Sequence, residues 1–205
     1  MIAIIDYGLG NLASMLNMLK KIGASAILSS DHDTIAKADK LILPGVGSFD
    51  SGMQNLVKRN LIPLLNKIVL EEQIPILGVC LGMQLLGRKS EEGSLPGLGW
   101  LDAETFRFKF QVASANLKIP HMGWNQVTVR KPHPLFAGLE EINRYYFVHS
   151  YHVICANPDN KLATTSYGFD FTSAVVKDNI MGVQFHPEKS HKFGMRLLKN
   201  FMELA

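Results

Sequence analysis

Cysteine is scarce in this chain: its 205 residues hold two, Cys80 and Cys155. One formal disulfide is a weak staple at this size, so a cysteine framework is excluded as the source of the fold. No long apolar run is present to span a bilayer, and the opening M-I-A-I-I meets Asp6 too early to be a secretion signal. The cytoplasm is therefore the expected compartment. Net charge is +3, but lysine and arginine are scattered in nothing denser than pairs such as Lys20-Lys21 and Arg130-Lys131. A basic stripe for nucleic acid is thereby excluded. No set of His, Cys, Asp and Glu has metal-ligand spacing, so neither a metal nor another cofactor is expected. Repeats, low-complexity tracts and linkers are missing too. The expectation is one domain over residues 1–205, a length that a single core can serve.

What is present is the composition of a soluble globular protein, 47% hydrophobic and 19% charged. Ile2 to Ile5 is a continuous apolar run, the pattern of a strand covered on both faces. A turn-rich D-Y-G-L-G-N follows, and Asn11 is placed as the N-cap of a helix to about Ile22, with Leu12, Met15, Leu16 and Leu19 at helical spacing. Gly23 closes it. Strands are expected at Ala26 to Leu28 and Leu41 to Leu43, and helices at Asp31 to Ala38, Ser51 to Val57 and Leu61 to Leu70. Alternating strands and helices of this kind build a parallel, helix-covered sheet. The second half differs: Gly99 to Val129 alternates, and Arg144 to Ile154, Leu162 to Thr165, Ser173 to Val176 and Ile180 to Phe185 read as strands. A last amphipathic helix runs from Ser190 to Leu204. The expected fold class is α/β, a mixed, largely parallel central sheet.

The chain is organised around Pro75 to Gln84, P-I-L-G-V-C-L-G-M-Q. A buried strand over Pro75 to Val79 runs directly into a helix after Cys80, with Gly78 and Gly82 two residues away on either side. A nucleophile on a sharp strand-to-helix turn needs neighbours without bulk at those two places. The following helix would aim N–H groups and its positive end at the sulfur, favouring the reactive thiolate. The alternative is a buried, inert core cysteine flanked by packing glycines.

Two other stretches bear on that choice. Ile180 to Phe185 leads into H-P-E-K-S, and an extended backbone through Pro187 would point His186 and Glu188 the same way. The carboxylate would then hold one ring nitrogen and leave the other for a nucleophile, making Cys80, His186 and Glu188 nucleophile, base and orienter. Pro44-Gly45-Val46-Gly47 follows another expected parallel strand and opens on the same edge of the sheet. Glycines there let a backbone N–H turn toward a substrate oxygen. A plain turn is the rival; a phosphate loop is disfavoured, because no Gly-Lys-Ser/Thr follows. His32, His133 and His191 read as solvent-facing loop or cap residues, whereas His121, His149 and His152 lie in or near strand-like segments.

Together, G-V-C-L-G-M-Q, P-G-V-G and F-H-P-E resemble the triad-type (class I) glutamine amidotransferases over almost the whole chain and in the family's order. Within that family, P-H-M-G-W-N (120–125), Y-F-V-H-S-Y-H (146–152) and H-P-E-K-S resemble the glutaminase subunits of imidazole glycerol phosphate synthases. The resemblance implies helices on both faces of a flavodoxin-like core. It also implies hydrolysis of L-glutamine to glutamate and ammonia through a thioester on Cys80, with His186 and Glu188 completing the triad. It gives the N–H groups of Leu81 and Gly47 to the oxyanion, and Gln84, Ser150 and Tyr151, with Gly47, to substrate binding. Asn11, Trp124, Tyr146 and Lys189 would face a (β/α)-barrel cyclase subunit that receives the ammonia for histidine biosynthesis. Paralogues that supply ammonia for amidating a surface-polysaccharide sugar share the triad, as do subunits serving anthranilate or aminodeoxychorismate synthesis, which P-H-M-G-W-N argues against. A cysteine peptidase of related fold would use the same elbow, and a regulatory subunit with a vestigial triad is disfavoured by the presence of all three residues. No role can be derived for Glu91 to Leu101.

Overall fold

The computed structural model describes residues 1–110, 117–138 and 143–204 of the chain. The first half alternates strands and helices: β1 (Ile2–Ile5), α1 (Leu12–Lys21), β2 (Ala26–Ser29), α2 (His32–Ala36), β3 (Lys40–Gly45), α3 (Phe49–Lys58), α4 (Leu61–Asn66), β4 (Ile76–Cys80) and α5 (Leu81–Leu85). The second half is mostly strand: β5 (Lys89–Ser90), β6 (Ala103–Arg107), β7 (His121–Val129), β8 (Asn143–His149), β9 (Tyr151–Cys155), β10 (Lys161–Ser166), β11 (Asp170–Lys177) and β12 (Ile180–Val183), before α6 (His191–Glu203). Among the described residues these make a twelve-stranded sheet with main path β2-β1-β3-β4-β12-β11-β10-β7-β8; β9 branches from β11, then β6 and β5. β2, β1, β3, β4 and β12 are mutually parallel. From β12 outward the main path is antiparallel.

The inner strands are apolar on both faces because both are covered. Ile2 and Ile4 pack with Met15 and Leu19 of α1 and with Leu197, Leu198 and Phe201 of α6. Ala3 and Ile5, one pleat over, pack with Phe49, Met53 and Leu56 of α3 and with Leu81 and Leu85 of α5. Each such Leu, Ile, Phe or Met side chain contributes about 1.5–3 kcal/mol when fully buried. A one-residue slip of β1 would exchange the two sets between the faces.

Several expectations need correction. The run Arg144 to Ile154 is two strands broken at Ser150, because β8 pairs with β7 while β9 pairs with β6 and β11. Leu61 to Leu70 is helical but changes at Lys67–Glu71 to a wider π-type turn. Asn11 stands at the N-cap of α1, yet its side chain makes no capping bond. Part of the alternating stretch Gly99 to Val129, residues 111–116, lies outside the described residues.

Candidate active site

The sharp turn expected at the end of β4 is present. Cys80 has φ 55° and ψ −111°, a left-handed backbone that costs a non-glycine residue about 1–3 kcal/mol and persists only where the surroundings enforce it. The surroundings here are backbone. A Cβ on Gly78 would stand 2.7 Å from the Gly82 oxygen, and one on Gly82 only 1.8 Å from the Leu43 oxygen. The two glycines of G-x-C-x-G thus let α5 fold back over β3 and β4. Register does the rest. Gly45 pairs with Cys80, and Val183 with Val79. The P-G-V-G loop, the thiol and the segment entering His186 therefore all emerge at one carboxyl edge of the sheet.

His186 meets Glu188 as expected, with Nδ1 2.7 Å from Oε1 and both side chains buried. The route differs. Pro187–Lys189 is a 3-10 turn rather than extended chain, closed by Lys189 N–H on the His186 carbonyl and Ser190 N–H on the Pro187 carbonyl. Pro187 suits the first position of such a turn, where no N–H is needed. His186 Nε2 makes no hydrogen bond and is left for the Cys80 side chain, with which the imidazole interacts electrostatically. Burial alone would lower the pKa of His186, but the adjoining Cys80 sulfur and the hydrogen-bonded Glu188 carboxylate outweigh it and push it up to about 10. The ring therefore keeps a proton beside the sulfur at neutral pH, the state needed to protonate a leaving amine. Cys155 is different: on β9, burial raises its thiol to about 11, against the opposing effect of Lys161.

A cavity of about 320 Å³ opens in front of the sulfur, at the small end of the range for ligand sites. It brings together Cys80, His186, Leu81, Gly47, Gln84, Ser150 and Tyr151, whereas Glu188 stays behind His186. Gly47 has φ +108°, and a Cβ there would meet only Leu9 Cδ2, at 4.0 Å, so the Val46-Gly47 peptide can turn in a way a side chain there would oppose. Asn11, Trp124, Tyr146 and Lys189 do not line the cavity. Trp124 stacks on His191 at 5.5 Å and meets Tyr146 edge-on at 6.4 Å, and the Lys189 ammonium lies 5.7 Å over the Tyr146 ring. These three form one cluster, with Trp124 38% exposed. It adjoins the active site because Tyr146 accepts the His186 N–H at 2.9 Å through its carbonyl.

Sequence reasoning missed several residues here. Glu92 lines the cavity, held by accepting Phe49 N–H at 2.8 Å. Asp50 in turn accepts the N–H groups of Ser94 and Leu95. This fastens Glu92 to Leu95 to the start of α3 and presents a carboxylate to the pocket. His149 is the second omission. Its Nδ1 lies 2.7 Å from the Tyr151 carbonyl, which can only accept, so Nδ1 carries the proton and Nε2 is bare. His121 Nδ1–H then donates to His149 Nε2 at 2.9 Å, and Asn125 Nδ2 donates to His121 Nε2 at 3.2 Å. Burial among aromatic rings holds His121 at about 4, His149 at about 3 and the neighbouring His152 at about 4, so all stay neutral at physiological pH. Gln84 Nε2 also reaches Tyr151 O, at 3.4 Å. The break between β8 and β9 is thus pinned from behind. Among the described residues no group of three or more His, Cys, Asp or Glu stands close enough to hold a metal, and no helix is long and apolar enough to cross a membrane.

Sulfur on a strained elbow, with an imidazole–carboxylate pair to move its proton, performs acyl transfer: it attacks a carbonyl carbon and releases the leaving group once protonated. A chain so equipped is suited to acyl transfer by a cysteine nucleophile. The family model for glutamine amidotransferase class-I matches residues 3–204, and the chain belongs to that family. It is 54% identical over 205 residues to imidazole glycerol phosphate synthase subunit HisH 2 of Pseudomonas aeruginosa, all of both chains being covered. It is 59% identical to the subunit HisH 2 of Methanococcus maripaludis, again over both full chains. Subunit HisH of Bdellovibrio bacteriovorus is 46% identical over 204 residues, with full coverage of both. Among solved structures, a glutamine amidotransferase superposes with TM-score 0.75 at 20% identity, over 98% of this chain and 97% of the other. The fold is accordingly the α/β fold of that family.

Proposed function

We propose that this chain is the glutaminase subunit of an imidazole glycerol phosphate synthase, hydrolysing L-glutamine and passing the ammonia to a (β/α)-barrel cyclase subunit. The observation that carries the chemistry is the buried 2.7 Å pair of His186 and Glu188 beside a cysteine at φ 55°. Full-length identity to three HisH subunits supports the pathway. The Cys80 sulfur attacks the γ-carboxamide carbon of glutamine, its proton having passed to His186 Nε2. The carbonyl oxygen becomes an oxyanion held by Leu81 N–H and by the N–H of the Val46-Gly47 peptide, each such donor being worth about 3 kcal/mol. His186 protonates the departing nitrogen and the C–N bond breaks, leaving a thioester. A water then gives a proton to His186 and attacks the thioester, the C–S bond breaks, and glutamate leaves. Glu188 keeps the ring oriented and supports its charge. Gln84 and the Ser150-Tyr151 backbone hold the amino-acid end of the substrate, with Glu92 as the carboxylate for its ammonium group. Asn11, Trp124, Tyr146 and Lys189 form the docking face.

The direct experiment is complementation: a histidine auxotroph lacking its own glutaminase subunit should grow on minimal medium when given this chain. Two of the relatives carry the number 2 in their names, which motivates a second reading, a paralogue that feeds ammonia to the amidation of a surface-polysaccharide sugar. Failure of growth, together with activation of glutamine turnover by a barrel subunit from a polysaccharide cluster, would select that reading.

A further inference from the structure

We propose that Gln184 is a further catalytic residue of this site, its buried side-chain amide donating a hydrogen bond to the Cys80 sulfur. The proposal deepens the glutaminase reading and rests on it for the identity of the acyl group. Gln184 is fully buried, so its amide needs partners on both ends. Its position is anchored by its own N–H on the Ser173 carbonyl at 2.9 Å. Which end faces the sulfur follows from a chain of acceptors. The Tyr151 carbonyl can only accept, so the Gln84 atom 3.4 Å from it is the amide nitrogen. That same nitrogen lies 3.0 Å from Gln184, whose facing atom must then be its oxygen. Gln184 Nε2 is left pointing at Sγ, 3.7 Å away.

The sulfur is thereby offered a donor from Gln184 in addition to the imidazole of His186. A thiolate only accepts, so this setting matches the anionic form. The match matters twice in the cycle. Before attack it favours and orients the nucleophile. During thioester hydrolysis, the electron pair of the breaking C–S bond returns to Sγ, and the amide meets the charge as it develops. Gln184 lies in the bend between the end of β12 and His186, so one short segment brings both this amide and the imidazole to the sulfur. The pairing of Gln184 with Gln84 also ties the nucleophile to the strip that receives the substrate.

The test uses the full chain in a Cys155→Ser background, carrying either Gln184→Glu or Gln184→Met. Glutamate keeps the acceptor for Gln84 but loses the donor to sulfur, whereas methionine keeps the volume and adds no charge. Cys80 alkylation by iodoacetamide is followed from pH 5 to 10, with thermal melts alongside. The other titratable groups around the sulfur, His186, Glu188 behind it and Tyr7, are unchanged in both variants. Loss of one charge-assisted bond should slow alkylation at pH 7 about tenfold and move the profile up by about one pH unit in Gln184→Met, and at least as far in Gln184→Glu. A parental profile in either folded variant overturns the assignment. So does a loss that merely follows the unfolded fraction. Glutamine turnover with the barrel subunit separates the two claims. If the profiles move but the parent never releases glutamate from glutamine, the glutaminase reading fails and Gln184 stands. If the parent turns over glutamine and the profiles do not move, Gln184 fails alone.

Discussion

Gly82→Ala sets helix propensity against packing, and the two predict opposite signs. Gly82 lies inside α5, where alanine would be favoured over glycine by about 1 kcal/mol. The structure predicts the reverse. The new Cβ would stand 1.8 Å from the Leu43 carbonyl oxygen and 2.9 Å from its carbon, whereas carbon–oxygen contacts settle at about 3.3 Å. Either the end of β3 or the elbow must then move by about 1.5 Å, and neither is a flexible side chain. Overpacking of this kind costs typically 1–3 kcal/mol, which lowers the melting temperature by roughly 2–4 °C per kcal/mol at this size. The effect on catalysis should be larger, since a misplacement near 1 Å costs about a hundredfold and the shift falls between Cys80 and the P-G-V-G loop. Melting and glutamine turnover with the barrel subunit are the measurements. Gly23→Ala is the control: its φ of +83° makes alanine strained, but nothing lies within 4 Å, so it should lose stability without losing turnover. A Gly82→Ala protein that melts at or above the parent temperature with parental turnover would refute the steric account of the elbow.

The remaining predictions concern the triad, the loop and pH. Glu188→Gln should lower kcat by about 10²- to 10⁴-fold with KM nearly unchanged, because the ring loses its orienting charge; a matching rise in KM instead would place Glu188 in substrate binding. The isolated chain should turn over glutamine slowly and accelerate with the barrel subunit and its ligand, since reversing a 1:99 loop population takes about 5.5 kcal/mol of differential binding. Full activity without the partner would remove that gating. Stability should peak near pH 6.5. Burial holds His121, His149 and His152 at about 4, 3 and 4 in the folded chain, below their ordinary 6.5. Stability should then fall as pH drops below about 6.5, by up to ~1.4 kcal/mol per unit for each histidine. His186 acts oppositely: raised to about 10, its contribution is complete below 6.5 and lost as pH rises through 10. Melts flat from pH 4 to 10 would contradict both.

The parts legible from sequence were those whose physics is local. Gly78 and Gly82 answer a clash within one strand-turn-helix, so G-x-C-x-G could be read without the rest of the fold. Apolar runs at β1, β3 and β4 reported a sheet covered on both faces. H-P-E foretold the meeting of His186 with Glu188 even though the backbone between them curls rather than extends, because Glu188 is long enough to reach back. Illegible parts depend on distant elements meeting. Glu92 enters the pocket only because Asp50 and Phe49 of α3 bind that segment. Ser150 breaks one apparent strand only because its two halves pair with different neighbours. Gln184 meets Gln84 and Cys80, and His149 meets His121, only because distant segments of the chain are brought together.

The central claim is tested most directly by glutamate released from L-glutamine by the chain with its barrel subunit, comparing Cys80→Ser with Cys155→Ser. Cys80 sits at the strained elbow beside His186, whereas the Cys155 thiol, held near 11, ends β9 and does not line the cavity. Glutamate release should vanish in Cys80→Ser and persist in Cys155→Ser, while free ammonia still drives synthesis in the Cys80→Ser complex. Equal loss in both variants, or glutamate release surviving in Cys80→Ser, would contradict the account.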